Sequence, residues 1–269
     1  MSDSLSSLII AIDNAESATA LTDAVQDLAD ACLIEAIPTL VEALGYNNPG
    51  AAVAAVDGLV KLGEPAVPGV LEQLDHNNYT ARSWAIRVLA GIGDPRGLIT
   101  LLGAATADFS MSVRRAAAKG LGNMKWHQFP HHLLEIVQGE ALDALLFVAQ
   151  QDEEWVVRYA AVVGLESLAA ALEPRNASWR SRIQEQFDLM IKLEESLAVR
   201  ARVWKAQQHL EENEPGLSES PNVQHRPLST TDWERILERL YNRKLKERTI
   251  VPAGDPQHYR ELLSPVSAK

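Results

Sequence analysis

Apolar and small side chains return along this chain at helical spacing, in runs that are each cut off by Asn, Gly, Asp or Pro. Five of the runs superimpose: AAVAAVDGLVKLG from Ala51, ARSWAIRVLAGIG from Ala81, VRRAAAKGLGNM from Val113, VRYAAVVGLESLA from Val157 and VRARVWKAQQHL from Val199. Leu59, Leu89, Leu121 and Leu165 then share one column, and Arg82, Arg114, Arg158 and Arg200 another, with Ala52 at the arginine position of the first run. The intervals are uneven, as expected when the loops between repeated helices differ in length. Between the runs lie shorter apolar stretches with proline near their starts, EAIPTLVEALGY, EPAVPGVLEQLDH and DPRGLITLLGAAT. A helix tolerates proline in its first turn, where the missing N–H would have no intrahelical partner. Asn47-Asn48-Pro49-Gly50, Asn77-Asn78 and Gly93-Asp94-Pro95 supply stop signals between them.

Each repeat therefore reads as a helical hairpin. Alternating β-branched or aromatic runs are missing, so no strand is expected. A lone hairpin cannot cover its apolar stripe, whereas stacked hairpins can, and the predicted fold is all-α, an α-solenoid of HEAT or armadillo type. We place the solenoid at residues 1–210, with the longer, more charged pair over 178–210 as its terminal cap. Residues 211–227, EENEPGLSESPNVQHRP, read as a flexible linker, and 228–269 as an amphipathic helix and a tail that is mostly loop. In that helix Thr231 and Glu234 make a capping box, and Trp233, Ile236, Leu237, Leu240, Tyr241 and Leu245 share a face. Such a face either docks back onto the solenoid or captures a partner protein.

Composition narrows the function. With 46% hydrophobic residues the chain has the material for a substantial core, and a net charge of −11 argues against general nucleic-acid binding, which needs a basic face. The single cysteine, Cys32, excludes an internal disulfide and a Cys-rich zinc site; its apolar helical context predicts a small buried residue and not a nucleophile. The apolar run at the N-terminus is too short for a membrane span and lacks a basic flank, so the expectation is a soluble, cytoplasmic protein.

No Walker loop, dinucleotide fingerprint, nucleophile elbow or zinc-protease helix occurs. GIGDPRG follows a helix and reads as a helix-to-helix corner. His127, His131 and His132 are close in sequence, but Pro130 breaks their register and no cysteine or nearby carboxylate completes a ligand set, so no metal is expected. The segment DHNNYTARSWAIRVLAGIGDPRGL, 75–98, gathers Tyr79, Arg82, Trp84, Arg87, Asp94 and Arg96. The arginine column suits a structural role, bonding acceptors in a neighbouring repeat. Trp84 and Arg87 share a different face, Lys119 is the equivalent of Arg87 one repeat on, and Arg115 and Tyr159 stand beside the arginine column. A wall of arginine, lysine, tryptophan and tyrosine suits a flat, conjugated ligand bearing carboxylates, with guanidinium forks on the carboxylates and rings on the π-system. The competing reading is that Trp84 and Trp155 only fill the core.

The run GYNNPGAAVAAVDGLVKLGEPAVPGVLEQLDHNNYTARSWAIRVLAGIGDPRGL, with DFSMSVRRAAAKGLGNM and EEWVVRYAAVVGLESL, resembles the F-type subunits of the E/F phycobilin lyases of cyanobacteria, over residues 18 to about 172. The resemblance implies a heterodimer with an E-type partner and a bilin such as phycocyanobilin as the group transferred, a substrate with no permanently bound cofactor. It implies a phycobiliprotein acceptor, the phycocyanin α-subunit, whose cysteine thiol adds to the ethylidene group of the bilin A-ring to give a thioether. On this expectation Arg87, Arg115 and Lys119 hold the propionates, Tyr79, Trp84 and Tyr159 stack on pyrroles, and Asp75, His76 or His127 protonates the tetrapyrrole. Isomerising members carry an adjacent His-Cys pair; here Gln128 follows His127, which implies attachment without isomerisation. The alternative is a non-catalytic HEAT scaffold or bilin chaperone assisting phycobilisome assembly.

Overall fold

A computed structural model describes residues 2–74, 79–212 and 228–250. The described residues form helices and short 3-10 turns joined by brief loops, with no strand among them. The chain divides into two compact units, Met1–Gly97 and Leu98–Lys269, each built from helical hairpins as the pattern predicts.

The first unit contains α1 (Ser2–Asp13), α2 (Ala18–Asp30), α3 (Ile37–Ala43), α4 (Pro49–Leu62), α5 (Val67–Gln73) and α6 (Tyr79–Ile92). Its helices α4 and α6 are two of the repeated amphipathic runs, and α4 packs against both α6 and the preceding α2. Asn48 stops the chain before α4 and starts the helix: its side-chain oxygen accepts from the N–H groups of Gly50 (3.0 Å) and Ala51 (3.2 Å). Its amide donates to the carbonyl of Ala18 at 2.7 Å, which ties the start of α4 to the first turn of α2. Gly58 allows the two helices to approach, since a Cβ there would lie 2.6 Å from that of Ala29. Val25, Leu28, Leu40, Leu59, Val70 and Leu89 close the core, at about 1.5–3 kcal/mol for each large apolar side chain removed from water.

Prolines 38 and 68 do sit in the first turns of α3 and α5, each entered through a 3-10 turn, Ile34–Ala36 or Glu64–Ala66. At the corner after α6, Gly93 takes a left-handed φ of 69°. Asp94, 2% exposed, accepts from the Arg96 guanidinium at 2.7 and 2.8 Å, while Arg96 also donates to the Glu64 carbonyl at 3.0 Å. Arg96 thus holds a corner together and does not face a ligand.

Cys32 departs from its expected burial. It lies two residues beyond the end of α2, at φ 50°, and is exposed. The apolar pattern of ADACLIEAIPTL is shared by two elements, α2 and α3, and the cysteine falls in the turn between them.

The second unit contains α7 (Leu98–Ala107), α8 (Met111–Gly122), α9 (His131–Gln151), α10 (Trp155–Ala171), α11 (Ala177–Leu193), α12 (Leu197–Glu212) and α13 (Thr230–Ile250). The strongest packing is between α8 and α10. Gly122 and Gly164 make it possible: a Cβ on Gly122 would fall 2.3 Å from the Gly164 carbonyl oxygen. The valines that open the repeated runs, Val113, Val157 and Val199, are fully buried, as are Leu121 and Leu165.

The C-terminal helix docks on its own unit. Ile236 and Leu240 are buried, Trp233 lies 5.6 Å from the ring of Phe129, and Arg243 reaches buried Glu140 at 3.4 Å. Tyr241 and Leu245, expected on the same face, are exposed. Its capping box is two residues earlier than the sequence suggests. Ser229 Oγ accepts from the Asp232 N–H at 3.2 Å, and the Asp232 carboxylate accepts from the Ser229 N–H at 3.2 Å. Thr231 lies inside the helix. The expected linker beyond residue 212 and the tail after residue 250 lie outside the described residues. No helix of the described residues is long and apolar enough to cross a membrane.

Candidate functional site

The arginine column is a structural seam in the second unit. Arg114 donates to both carboxylate oxygens of Asp152, at 2.6 and 3.0 Å, and to the carbonyls of Asp108 (2.9 Å) and Phe109 (3.2 Å). Arg158 repeats the arrangement one hairpin later, with Glu194 at 2.7 Å twice and the carbonyls of Asp152 (2.8 Å) and Glu153 (3.0 Å). Each arginine therefore satisfies the loop before its own helix and grips the carboxylate of the next repeat. The hydrogen bonds from Arg158 hold Glu194 below the usual carboxylate range against the opposing effect of burial. The same pairing raises Arg158 and Arg114 above the ordinary guanidinium value.

One residue further along α8 the picture reverses. Arg115 and Lys119 stand one turn apart, both exposed, and neither makes an ion pair or side-chain hydrogen bond with a described residue. Two unneutralised cations at this spacing cost a few tenths of a kcal/mol, in a chain whose net charge is −11. Met111, one turn before Arg115, is exposed on the same face. On α10, packed against α8 through the glycine contact, Tyr159 holds the register position of Arg115 and is 37% exposed. Trp155, one turn before it, is 47% exposed. For Trp155 the core-filling reading fails, because the helix starts at this residue and turns the indole outward. The second unit thus presents Met111, Arg115 and Lys119 on one helix beside Trp155 and Tyr159 on the next. Trp155 and Met111 are the members that repeat alignment underrates: both begin a helix at the column's outward position, a signal visible once the helix starts are known.

In the first unit α6 positions Trp84 and Arg87. Trp84 is half-buried and Arg87 exposed, with the guanidinium carbon 4.7 Å from the indole centroid. At this distance the two side chains make a cation–π contact. Trp84 is neither wholly core nor wholly surface: one part of the indole packs and another supports the arginine. Tyr79 begins α6, but its side chain lies outside the described residues, as do Asp75 and His76. His127 is exposed in the 3-10 turn Trp126–Gln128 between α8 and α9. His131 and His132 open α9, and among the described residues no group of three or more His, Cys, Asp or Glu side chains gathers as a metal site. The structure thus brings Arg115, Lys119 and Tyr159 onto two packed helices of one unit, and Trp84 and Arg87 onto one helix of the other.

Chemically, both sets join aromatic faces to unspent positive charge, an arrangement fitted to an anionic, conjugated molecule and without a nucleophile of its own.

Residues 67–166 match the HEAT repeats family. A chain in the structure of the complex of CpcE and CpcF of phycocyanin lyase from Nostoc sp. PCC7120 superimposes with a TM-score of 0.60 and 47% identity, over 65% of this chain and 99% of that one. Phycocyanin alpha phycocyanobilin lyase CpcF of Synechocystis sp. is 47% identical over 162 residues, 60% of this chain and 75% of that protein. Phycocyanobilin lyase subunit beta of Pseudanabaena tenuis is 56% identical over 278 residues, spanning 99% of both chains. The chain belongs to the family of phycocyanobilin lyase beta subunits.

Proposed function

We propose that this chain is the F-type subunit of a heterodimeric lyase that, with an E-type partner, attaches phycocyanobilin or a related phycobilin to a cysteine of a phycobiliprotein, the phycocyanin α-subunit. The observation that carries this reading is end-to-end identity of 56% with a phycocyanobilin lyase beta subunit. Exposed Arg115 and Lys119, without an ion-pair partner among the described residues, beside Tyr159 and Trp155 support it, as does the Arg87–Trp84 contact.

In the reaction the acceptor thiol adds across the exocyclic ethylidene double bond of the bilin A-ring. A carbon–sulfur bond forms, the double bond is consumed, and the thiol proton is retained in the adduct, so no oxidant or leaving group is required. The nucleophile belongs to the acceptor. This chain's contribution is to hold and polarise the pigment: Arg87, Arg115 and Lys119 bind propionates, and Trp84, Tyr79 and Tyr159 stack on pyrroles. Asp75, His76 or His127 supplies the proton that makes the ring system electrophilic. The bilin is a substrate, and no permanently bound cofactor takes part. Without a His-Cys pair at His127-Gln128 the bilin is attached with its double bonds unrearranged. The setting is the cytoplasm.

Co-expression tests the reading. Acceptor α-subunit, bilin and E-type partner yield a fluorescent adduct that survives denaturing electrophoresis only when this chain is present, and the adduct keeps the absorption of unisomerised bilin. Equal yield without this chain overturns the lyase reading and leaves the scaffold.

A further inference from the structure

The seam arginines define what a repeat expects from the one that follows it. Arg114 receives Asp152 and Arg158 receives Glu194, each carboxylate lying in the loop before the next repeat's second helix. Arg200 is the next member of the column. No described residue supplies its carboxylate: its guanidinium makes no hydrogen bond or ion pair with a described residue, and its Nε is buried without an acceptor. Burying a donor without a partner is costly, so this position lacks an acceptor among the described residues.

A second column agrees. Ala118 on α8 and Val162 on α10 hold one register position and are both 0% exposed. The same position on α12 is Trp204, which is 59% exposed. One turn separates Arg200 from Trp204, and Leu197, one turn before Arg200, is also exposed. A terminal repeat ordinarily shows solvent a polar face; here, among the described residues, it offers tryptophan, leucine and a guanidinium without a partner, which is not the polar face expected of a cap at 178–210.

We infer that the outer face of α12, Leu197, Arg200 and Trp204, is a docking site for the acceptor protein, which presents an Asp or Glu at a helix start to Arg200 and an apolar side chain to Trp204. The inference rests on the proposed transfer reaction for the identity of its occupant. Three arguments favour a transient protein over a permanent one. The patch is a few side chains wide, whereas obligate interfaces bury on the order of 2,000 Å² or more. An acceptor must leave after each turnover, and an exposed tryptophan beside a part-buried arginine is the type of anchor that gives specificity in a small contact. The carboxylate demand is specific: in a chain of net charge −11, a cation with no ion-pair partner among the described residues is what orients an approaching acidic group.

The experiment uses the full chain assembled with its E-type partner. Binding of the unmodified acceptor α-subunit is measured directly, for the original complex and for complexes carrying Arg200→Gln, Arg200→Lys or Trp204→Ala, alongside the half-saturating acceptor concentration for transfer. The expected result is at least about a tenfold loss of acceptor affinity for Arg200→Gln and Trp204→Ala. Arg200→Lys loses less, while kcat, helical content and pairing with the E-type subunit stay unchanged. Unchanged acceptor affinity overturns the inference. So does loss of the E-type subunit from the variant complexes, which makes the face a subunit interface, or a shift in self-association, which makes a second copy its occupant. Acceptor binding that depends on Arg200 without any bilin transfer leaves this docking site standing and removes the lyase reading instead.

Discussion

Arg114 and Arg115 are consecutive residues of one chemical type with opposite fates. The first is sunk in a seam, its guanidinium shared between Asp152 and two loop carbonyls. The second stands in solvent one turn from Lys119 with no counter-charge among the described residues. A rotation of about 100° around a helix separates them. The same contrast recurs on α10, where Arg158 grips Glu194 and its neighbour Tyr159 faces outward. The repeated helix therefore has one edge that builds the stack and another that it keeps free. The lesson is that charge in a helical repeat is read by register: the seam position is spent on the stack, and its neighbour stays free for the bilin contact proposed above.

That division breaks most visibly at the seam. Arg158→Ala leaves the Glu194 carboxylate, 5% exposed, and two carbonyls without their donor, so a loss of about 3–5 kcal/mol is expected in urea unfolding followed by circular dichroism. An undiminished midpoint would return the arginine to the surface. Gly122→Ala comes next. A methyl group 2.3 Å from the Gly164 carbonyl must push α8 from α10, and a destabilisation of about 2–3 kcal/mol is expected in the same assay, with weakened bilin binding because Arg115 and Tyr159 move apart.

Acid sharpens the comparison. Because the folded pKa of Glu194 lies below its unfolded value, the pair's contribution is complete above the ordinary carboxylate range, about pH 4.3. It is lost as the pH falls through the lower folded value. The gap in melting temperature between the original chain and Arg158→Ala should accordingly narrow on acidification below about pH 4; a constant gap would show that the ion pair carries none of it. The smallest effect on stability belongs to the wall. Arg115→Ala with Lys119→Ala should change unfolding free energy by no more than about 0.5 kcal/mol. The same double substitution should weaken bilin binding by roughly tenfold or more, measured by absorbance titration. Equal loss in both assays would mean that the two edges are not separate.

The helices, their breaks and the seam were legible because each leaves a periodic trace: apolar spacing, Asn-Pro and Gly-Asp-Pro stops, and an arginine once per repeat. Cys32 was misread because periodicity does not mark where one apolar helix ends and another begins; the turn that exposes it has no Gly or Pro to announce it. The cap of the last helix was misplaced by two residues for a related reason. Ser229-Thr230-Thr231-Asp232 offers several oxygen side chains within a single turn, and the choice among them is made by local hydrogen-bond geometry. The candidate site was legible by column, in Arg115, Lys119 and Tyr159, but Trp155 was not, since tryptophan at a helix start serves a core or a surface equally well until packing decides.

The exposed turn at Cys32 also gives the molecule a practical asymmetry. Its sole thiol projects from the unit that carries Trp84 and Arg87, so a maleimide dye attaches at one site without any substitution. A dye whose emission overlaps bilin absorption would there act as an energy-transfer donor, reporting by its quenching when pigment arrives and when it departs with the acceptor.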